Sequence, residues 1–109
     1  MTIKLNEKEA KFFYVEDSKI HGKGLFARTV IKAGTYLGDY EGPETIDNGM
    51  HVLWVENEEG EWIGRDGKNA LRYLNHNTNP CAEFDGFKLF AVDVIEEHQE
   101  ITIDYGEEP

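Results

Sequence analysis

The sequence holds a single cysteine, Cys81, among 109 residues. That excludes an internal disulfide and any zinc site built from several cysteines, and it makes a reducing, cytoplasmic compartment the expected home. Basic residues are scarce. Eleven Lys and Arg stand against 22 Asp and Glu, which gives a formal charge of −11. Such a field repels phosphates, so no direct contact with nucleic acid is expected, and a basic protein or peptide is the better partner. An acidic surface also serves plain solubility, so charge alone does not choose between the two. No apolar run approaches the ~20 residues of a membrane helix, and the opening MTIKLNEKEAK has no signal-peptide core. No membrane partner is expected, and the length fits one domain over residues 1–109. The four histidines, His21, His51, His76 and His98, lack metal-ligand spacing, so no metal is expected.

Prolines are few, 3 in all, whereas glycines number 11, so the backbone turns often. The first ten residues are mostly polar and are expected to be loose. "KFFYVEDS" reads as a strand. "IHGKGLFA" reads as a tight turn running into an apolar segment, and "KAGTYLGDYEG" as turn, strand and turn. "HVLWVEN" and "EWIGR" form a hairpin across Glu58, Glu59 and Gly60, after an Asn48-Gly49 turn signal. "CAEF" and "FKLFAV" flank Asp85-Gly86, a second hairpin signal. "KNALRYLNH" is the one segment that reads as helix, with Ala70, Leu71 and Leu74 as its buried stripe. "QEITIDYGEEP" closes as an alternating strand. The class is mainly β, built from several small sheets with a short helix. The Glu runs at 56–61 and 96–100 read as solvated faces.

Three segments carry chemistry together: Gly22-Lys23-Gly24, then Arg72-Tyr73-Leu74-Asn75-His76-Asn77-Thr78-Asn79-Pro80-Cys81, then Glu100-Ile101-Thr102-Ile103-Asp104-Tyr105-Gly106. Singly each is a turn, a polar loop and a strand end. In this order they resemble the SET domain family of protein lysine methyltransferases. That family's segments read roughly Gly-x-Gly, Arg-Phe-Ile-Asn-His-Ser-Cys-x-Pro-Asn and Glu-Leu-Thr-Tyr-Asp-Tyr-Gly. "GDYEGPE" resembles its Tyr-x-Gly-Glu strand. The likeness runs from about Lys19 to Gly106.

The resemblance implies a SET-type fold with a C-terminal pseudoknot, or β-clip, in which the last segment passes under the Asn-His loop. The dense polar cluster of "NHNTNP" would then be a buried crossing rather than a solvated turn. It implies methyl transfer from S-adenosylmethionine to the ε-amine of a lysine on a basic, histone-like or other Lys-rich protein. Gly22, Lys23, Gly24, Leu25, Arg72, Asn75 and His76 would hold the cofactor. Tyr105 would be the catalytic residue that orients the amine. Tyr40, Phe84 and Ile103 would line the lysine channel. A free lysine has a pKa near ~10.4, and a nearby sulfonium together with burial favours its neutral form, so no dedicated carboxylate base is needed.

The pattern also departs from the family. Ile103 stands where Tyr or Phe is frequent and brings no hydroxyl, which leaves the degree of methylation open. Cys81 replaces the Asn that follows the motif proline, and "NHNTNP" lacks Ser-Cys. The given sequence ends at Glu107-Glu108-Pro109, whereas many family members continue into a segment that closes the lysine channel. The expectation is a site left open, or completed by a second copy in a homodimer or by the substrate. Two other readings compete with the enzyme: a non-catalytic SET-fold module that binds a basic peptide, and an acidic protein that mimics nucleic acid.

Overall fold

The structure is a computed structural model and describes Leu5 and residues 7–105. Gly106, the last residue of the third motif, lies outside the described residues, as do Glu107–Pro109.

Among the described residues the first element is a short helix, α1 (Glu7–Phe12), so residues 7–10 of the stretch expected to be loose are helical, and residues 1–4 and 6 lie outside the described residues. Glu9 is buried, and its Oε2 accepts from the Ala70 amide at 2.7 Å. α1 runs directly into β1 (Phe13–Asp17), so the first strand starts two residues later than "KFFYVEDS" suggests. β2 (Lys23–Ala27) pairs antiparallel with β1, with Tyr14 opposite Phe26 and their rings stacked at 5.6 Å. The reversal between them is tied by the Ser18 amide on the Gly22 carbonyl at 2.8 Å, with Gly22 at φ +45. Lys23 and Gly24 therefore belong to the strand, not to the turn.

β3 (Tyr36–Asp39), β8 (Ala82–Asp85) and β9 (Lys88–Ala91) form one three-stranded sheet in the order β3-β9-β8. Its tight hairpin places Asp85 opposite Lys88, and Gly86 has φ +62, as the Asp-Gly signal predicts. β4 (Glu44–Thr45), β5 (Val52–Glu56) and β6 (Trp62–Asp66) form another, in the order β4-β6-β5. Asn57 closes its hairpin by accepting from the amides of Glu59 and Glu61 at 3.0 and 2.9 Å.

"KNALRYLNH" yields only a 3-10 helix, Ala70–Tyr73, with bonds from Arg72 N to Asn69 O and from Leu74 N to Leu71 O. Ala70, Leu71 and Leu74 are buried as expected. β7 (Asn75–His76) follows and pairs in parallel with β10 (Glu100–Ile103). β10 also pairs antiparallel with β2, which gives the sheet order β1-β2-β10-β7. Ile101, Thr102 and Ile103 are all buried, so both faces of β10 are covered at its C-terminal end, where "EITI" suggested alternation.

The three sheets share one core. Phe13, Leu25, Leu71, Leu89, Ile95 and Ile101 are its largest fully buried side chains. The fold is thus mainly β, in several small sheets with little helix.

Candidate functional site at the β7–β10 crossing

Asn75 sits at the centre of the crossing and is 7% exposed. Its Nδ2 donates to the carbonyls of His21 and Lys23, each at 3.1 Å, and to Glu100 Oε2 at 2.8 Å. All three partners are acceptors, so the amide must present its nitrogen to them and keep Oδ1 for another donor. Asn75 thereby ties the start of β2 to the start of β10, across distances in sequence that no local rule reads.

Glu100 is the residue that sequence reasoning missed. Placed in a Glu run, it reads as part of a solvated face. Instead it is half-buried, and besides Asn75 it accepts from Ser18 Oγ at 2.7 and 2.9 Å. It also explains Gly24. A Cβ on Gly24 would lie 2.3 Å from Glu100 Oε2, so this close approach requires glycine. The visible signal was the spacing itself: Glu100 opens the third motif and Gly24 closes the first.

Past the crossing, the chain folds back under the Leu74–Asn77 stretch. The Asn77 amide donates to Ile103 O at 3.0 Å. The Tyr105 amide donates to His76 Nδ1 at 2.9 Å, so this ring nitrogen carries no proton while the bond holds. The Tyr105 hydroxyl donates to the Leu74 carbonyl at 2.6 Å, and its ring lies 5.2 Å from that of His76. Tyr105 is 60% exposed as a residue, but partial desolvation of its hydroxyl, then the charge of Glu100, raises its pKa above the ordinary phenol value. Like any phenol, Tyr105 keeps its proton at neutral pH and donates it to Leu74, and its oxygen lone pairs can accept from an amine.

Tyr40 is buried, and its hydroxyl donates to the His51 carbonyl. Its pKa is pushed up to about 12, first by burial and then by the charges of Asp66 and Tyr105, against the opposing charge of Arg72. Phe84 meets Tyr40 edge-on, at 5.7 Å between rings. Gly67 lies flat against the Tyr40 ring, where a Cβ would come within 2.3 Å of the hydroxyl oxygen.

The other predicted residues are distributed less neatly. The Lys23 side chain is ion-paired with Asp17 at 2.6 Å, so only its backbone faces Asn75. Leu25 is fully buried, and its side chain serves the core. Ile103 is 8% exposed and stands opposite His76 in the β10–β7 pair. The Arg72 guanidinium donates to the Tyr73 hydroxyl at 2.6 Å and lies over that ring. Among the described residues no group of three or more His, Cys, Asp or Glu side chains could hold a metal ion.

The SET domain family model matches residues 22–106, which is most of the chain. The chain belongs to the SET domain family. Members of this family are generally protein lysine methyltransferases that use S-adenosylmethionine. This SET domain also has the shape of a chain in the crystal structure of the Chaetomium thermophilum polycomb repressive complex 2, with a TM-score of 0.75 and 22% identity. The match covers 89% of this chain and 15% of that one. No curated protein sequence matches. No helix among the described residues is long and apolar enough to cross a membrane.

Proposed function

We propose that this SET domain transfers methyl groups from S-adenosylmethionine to lysine ε-amines of a basic protein. The observation that carries the reading is the crossing itself. There a buried asparagine with a fixed amide meets a carboxylate across β7 and β10, and a tyrosine hydroxyl from just past β10 bonds the carbonyl that precedes β7.

These groups fit the cofactor's chemistry. Its amino-acid end carries an ammonium, for which Asn75 Oδ1 and the Glu100 carboxylate are the matching acceptors. Gly22 and Gly24 let a ligand approach the backbone closely. Arg72, beside Tyr73, and the backbone of His76 would complete the holder. When bound, S-adenosylmethionine supplies an electrophilic methyl group on a sulfonium.

This chain's residues do the rest. Tyr40 and Phe84 offer aromatic faces, which attract a cationic amine and guide it inward. Removal from water disfavours the ammonium form, so the proton leaves to solvent before transfer. The Tyr105 oxygen then accepts from the neutral amine and aims its lone pair. It need not act as a base, since a phenol keeps its proton at neutral pH. Positioning supplies most of the acceleration.

Two measurements test this. Calorimetric titration of S-adenosylmethionine is expected to show binding in the native chain, unchanged in Tyr105→Phe and lost in a folded Asn75→Ala. Transfer of radiolabelled methyl to a lysine-rich protein is expected in the native chain and reduced at least about a hundredfold in Tyr105→Phe. Donor binding with no transfer on any basic substrate would leave a non-catalytic binding module instead.

A further inference from the structure

The β4-β6-β5 sheet carries a surface that the methyl-transfer chemistry does not use. Its register sets Trp54 opposite Gly64 and Glu56 opposite Trp62. Paired residues share a face, and so do alternate residues along a strand. Both tryptophans of the chain therefore lie on one side of this sheet. The opposite side carries Leu53, which packs on the core, so the tryptophan side faces outward. Trp62 is 63% exposed and Ile46 94%. Together they border a shallow, open groove of about 500 Å³ where β4 meets β6, lined also by Thr45 and Gly64 from the tryptophan side and by Glu44 and Ile63, whose pairing sets them on the Leu53 side.

The chain segment that carries this groove has charge of one sign. From Ala33 to Gly64 the sequence has no Lys or Arg, yet it has Asp39, Glu41, Glu44, Asp47, Glu56, Glu58, Glu59 and Glu61. All but Asp39 are exposed. Arg65, the first cation after this run, is held in place: it stacks on Phe87 at 3.8 Å and donates to the Tyr40 carbonyl. It does not neutralise the outer face. An exposed tryptophan beside an apolar side chain, with Glu44 in the groove, Glu56 across the strand pair and Glu61 next in the chain, complements a segment that carries lysines or arginines around an apolar residue.

We propose that the outer face of this sheet is a docking surface for a Lys- or Arg-rich segment of the protein substrate. The segment seats an apolar side chain against Ile46 and Trp62, and its cations lie on the surrounding carboxylates. The identity of the partner as a substrate rests on the methyl-transfer reading above. β6 connects the two places. Trp62 begins it, and Gly67, just beyond its end at Asp66, packs on Tyr40. At ~3.3 Å per residue the anchor lies roughly 13 Å along the strand from the Tyr40 end. Docking there holds the substrate without occupying the channel.

The test is fluorescence anisotropy of a short labelled oligolysine peptide with a central leucine, titrated with the full chain. The expected affinity falls steeply as salt rises and drops at least about tenfold in Trp62→Ala. It is lost when Glu58, Glu59 and Glu61 are all changed to Lys. In the same variants S-adenosylmethionine binding is unchanged, which shows that they fold. Tyr105→Phe keeps the peptide affinity. Equal peptide binding by the native and charge-reversed chains overturns the proposal, as does no binding by the native chain. A dimer that forms with rising concentration and dissolves in Trp62→Ala also overturns it, because the face then belongs to a second copy. Peptide binding that persists in a chain with neither donor binding nor transfer supports the docking surface and sinks the methyl-transfer reading alone.

Discussion

At the β7–β10 crossing one carboxylate, Glu100, is half-buried and accepts from Asn75 and Ser18. On the β4-β6-β5 sheet, Glu44 and Glu56 stand exposed, and Glu58, Glu59 and Glu61 join them in the hairpin loop. The residue type is the same, but its work differs. At the crossing the charge is held by directed bonds, so removing a partner strands a buried group. On the sheet the charges are solvated and act as a field, so no single one matters much to folding. The first region spends its polar groups on a fixed geometry. The second keeps them available to something outside the chain.

The sharpest break between the regions is expected from Asn75→Ala. The change leaves the Glu100 carboxylate and the carbonyls of His21 and Lys23 without their shared donor. Urea unfolding is expected to show a loss of about 2–4 kcal/mol. A loss below about 0.5 kcal/mol would mean that water replaces the amide freely, and that the crossing is no more specialised than a surface turn.

Much of the crossing was legible in the sequence, though unevenly. The order of the Gly-x-Gly, Asn-His and Asp-Tyr segments pointed to one family and to Asn75, His76 and Tyr105 as neighbours. The Asp85-Gly86 hairpin was legible because its turn chemistry is local. Glu100 was not, because its partners lie 25 and 82 positions away and a Glu run looks solvated in sequence. Glu9 failed for the same reason: its bond to Ala70 spans 61 positions, and a six-residue helix shows too little periodicity to announce itself. "KNALRYLNH" has helical spacing, but its backbone tightens to i→i+3 bonds before Leu74 turns into β7.

Alkaline pH separates the regions by a different route. Folded Tyr40 holds its proton up to about 12, against 10.0 for an ordinary phenol. A raised folded pKa stabilises fully below the unfolded value and is lost as pH climbs toward the folded one. Stability is therefore expected to fall between about pH 10 and pH 12, by roughly 2–3 kcal/mol from this group. Tyr105, also raised, adds in the same direction. In Tyr40→Phe the alkaline slope should flatten, while the absolute stability drops for want of the bond to the His51 carbonyl. An unchanged slope would place the alkaline loss elsewhere.

The smallest expected effect completes the comparison. Trp62→Ala, and separately the combined change of Glu58, Glu59 and Glu61 to Lys, should move the unfolding free energy by no more than about 0.5 kcal/mol. Trp62 is 63% exposed, so truncating it opens little cavity. The three glutamates sit in a chain whose net charge is −11, so reversing them relieves self-repulsion and is expected to act slightly toward stability. Asn57 still closes the hairpin, because its bonds go to the backbone amides of Glu59 and Glu61 and not to their side chains. Urea titrations of the native and variant chains at low and high salt check this. A charge-reversed chain that gains stability mainly at low salt identifies the glutamates as a solvated field, maintained at a small cost to folding. A chain that loses several kcal/mol would show that these carboxylates are structural, like Glu100, and would remove the contrast between sheet and crossing.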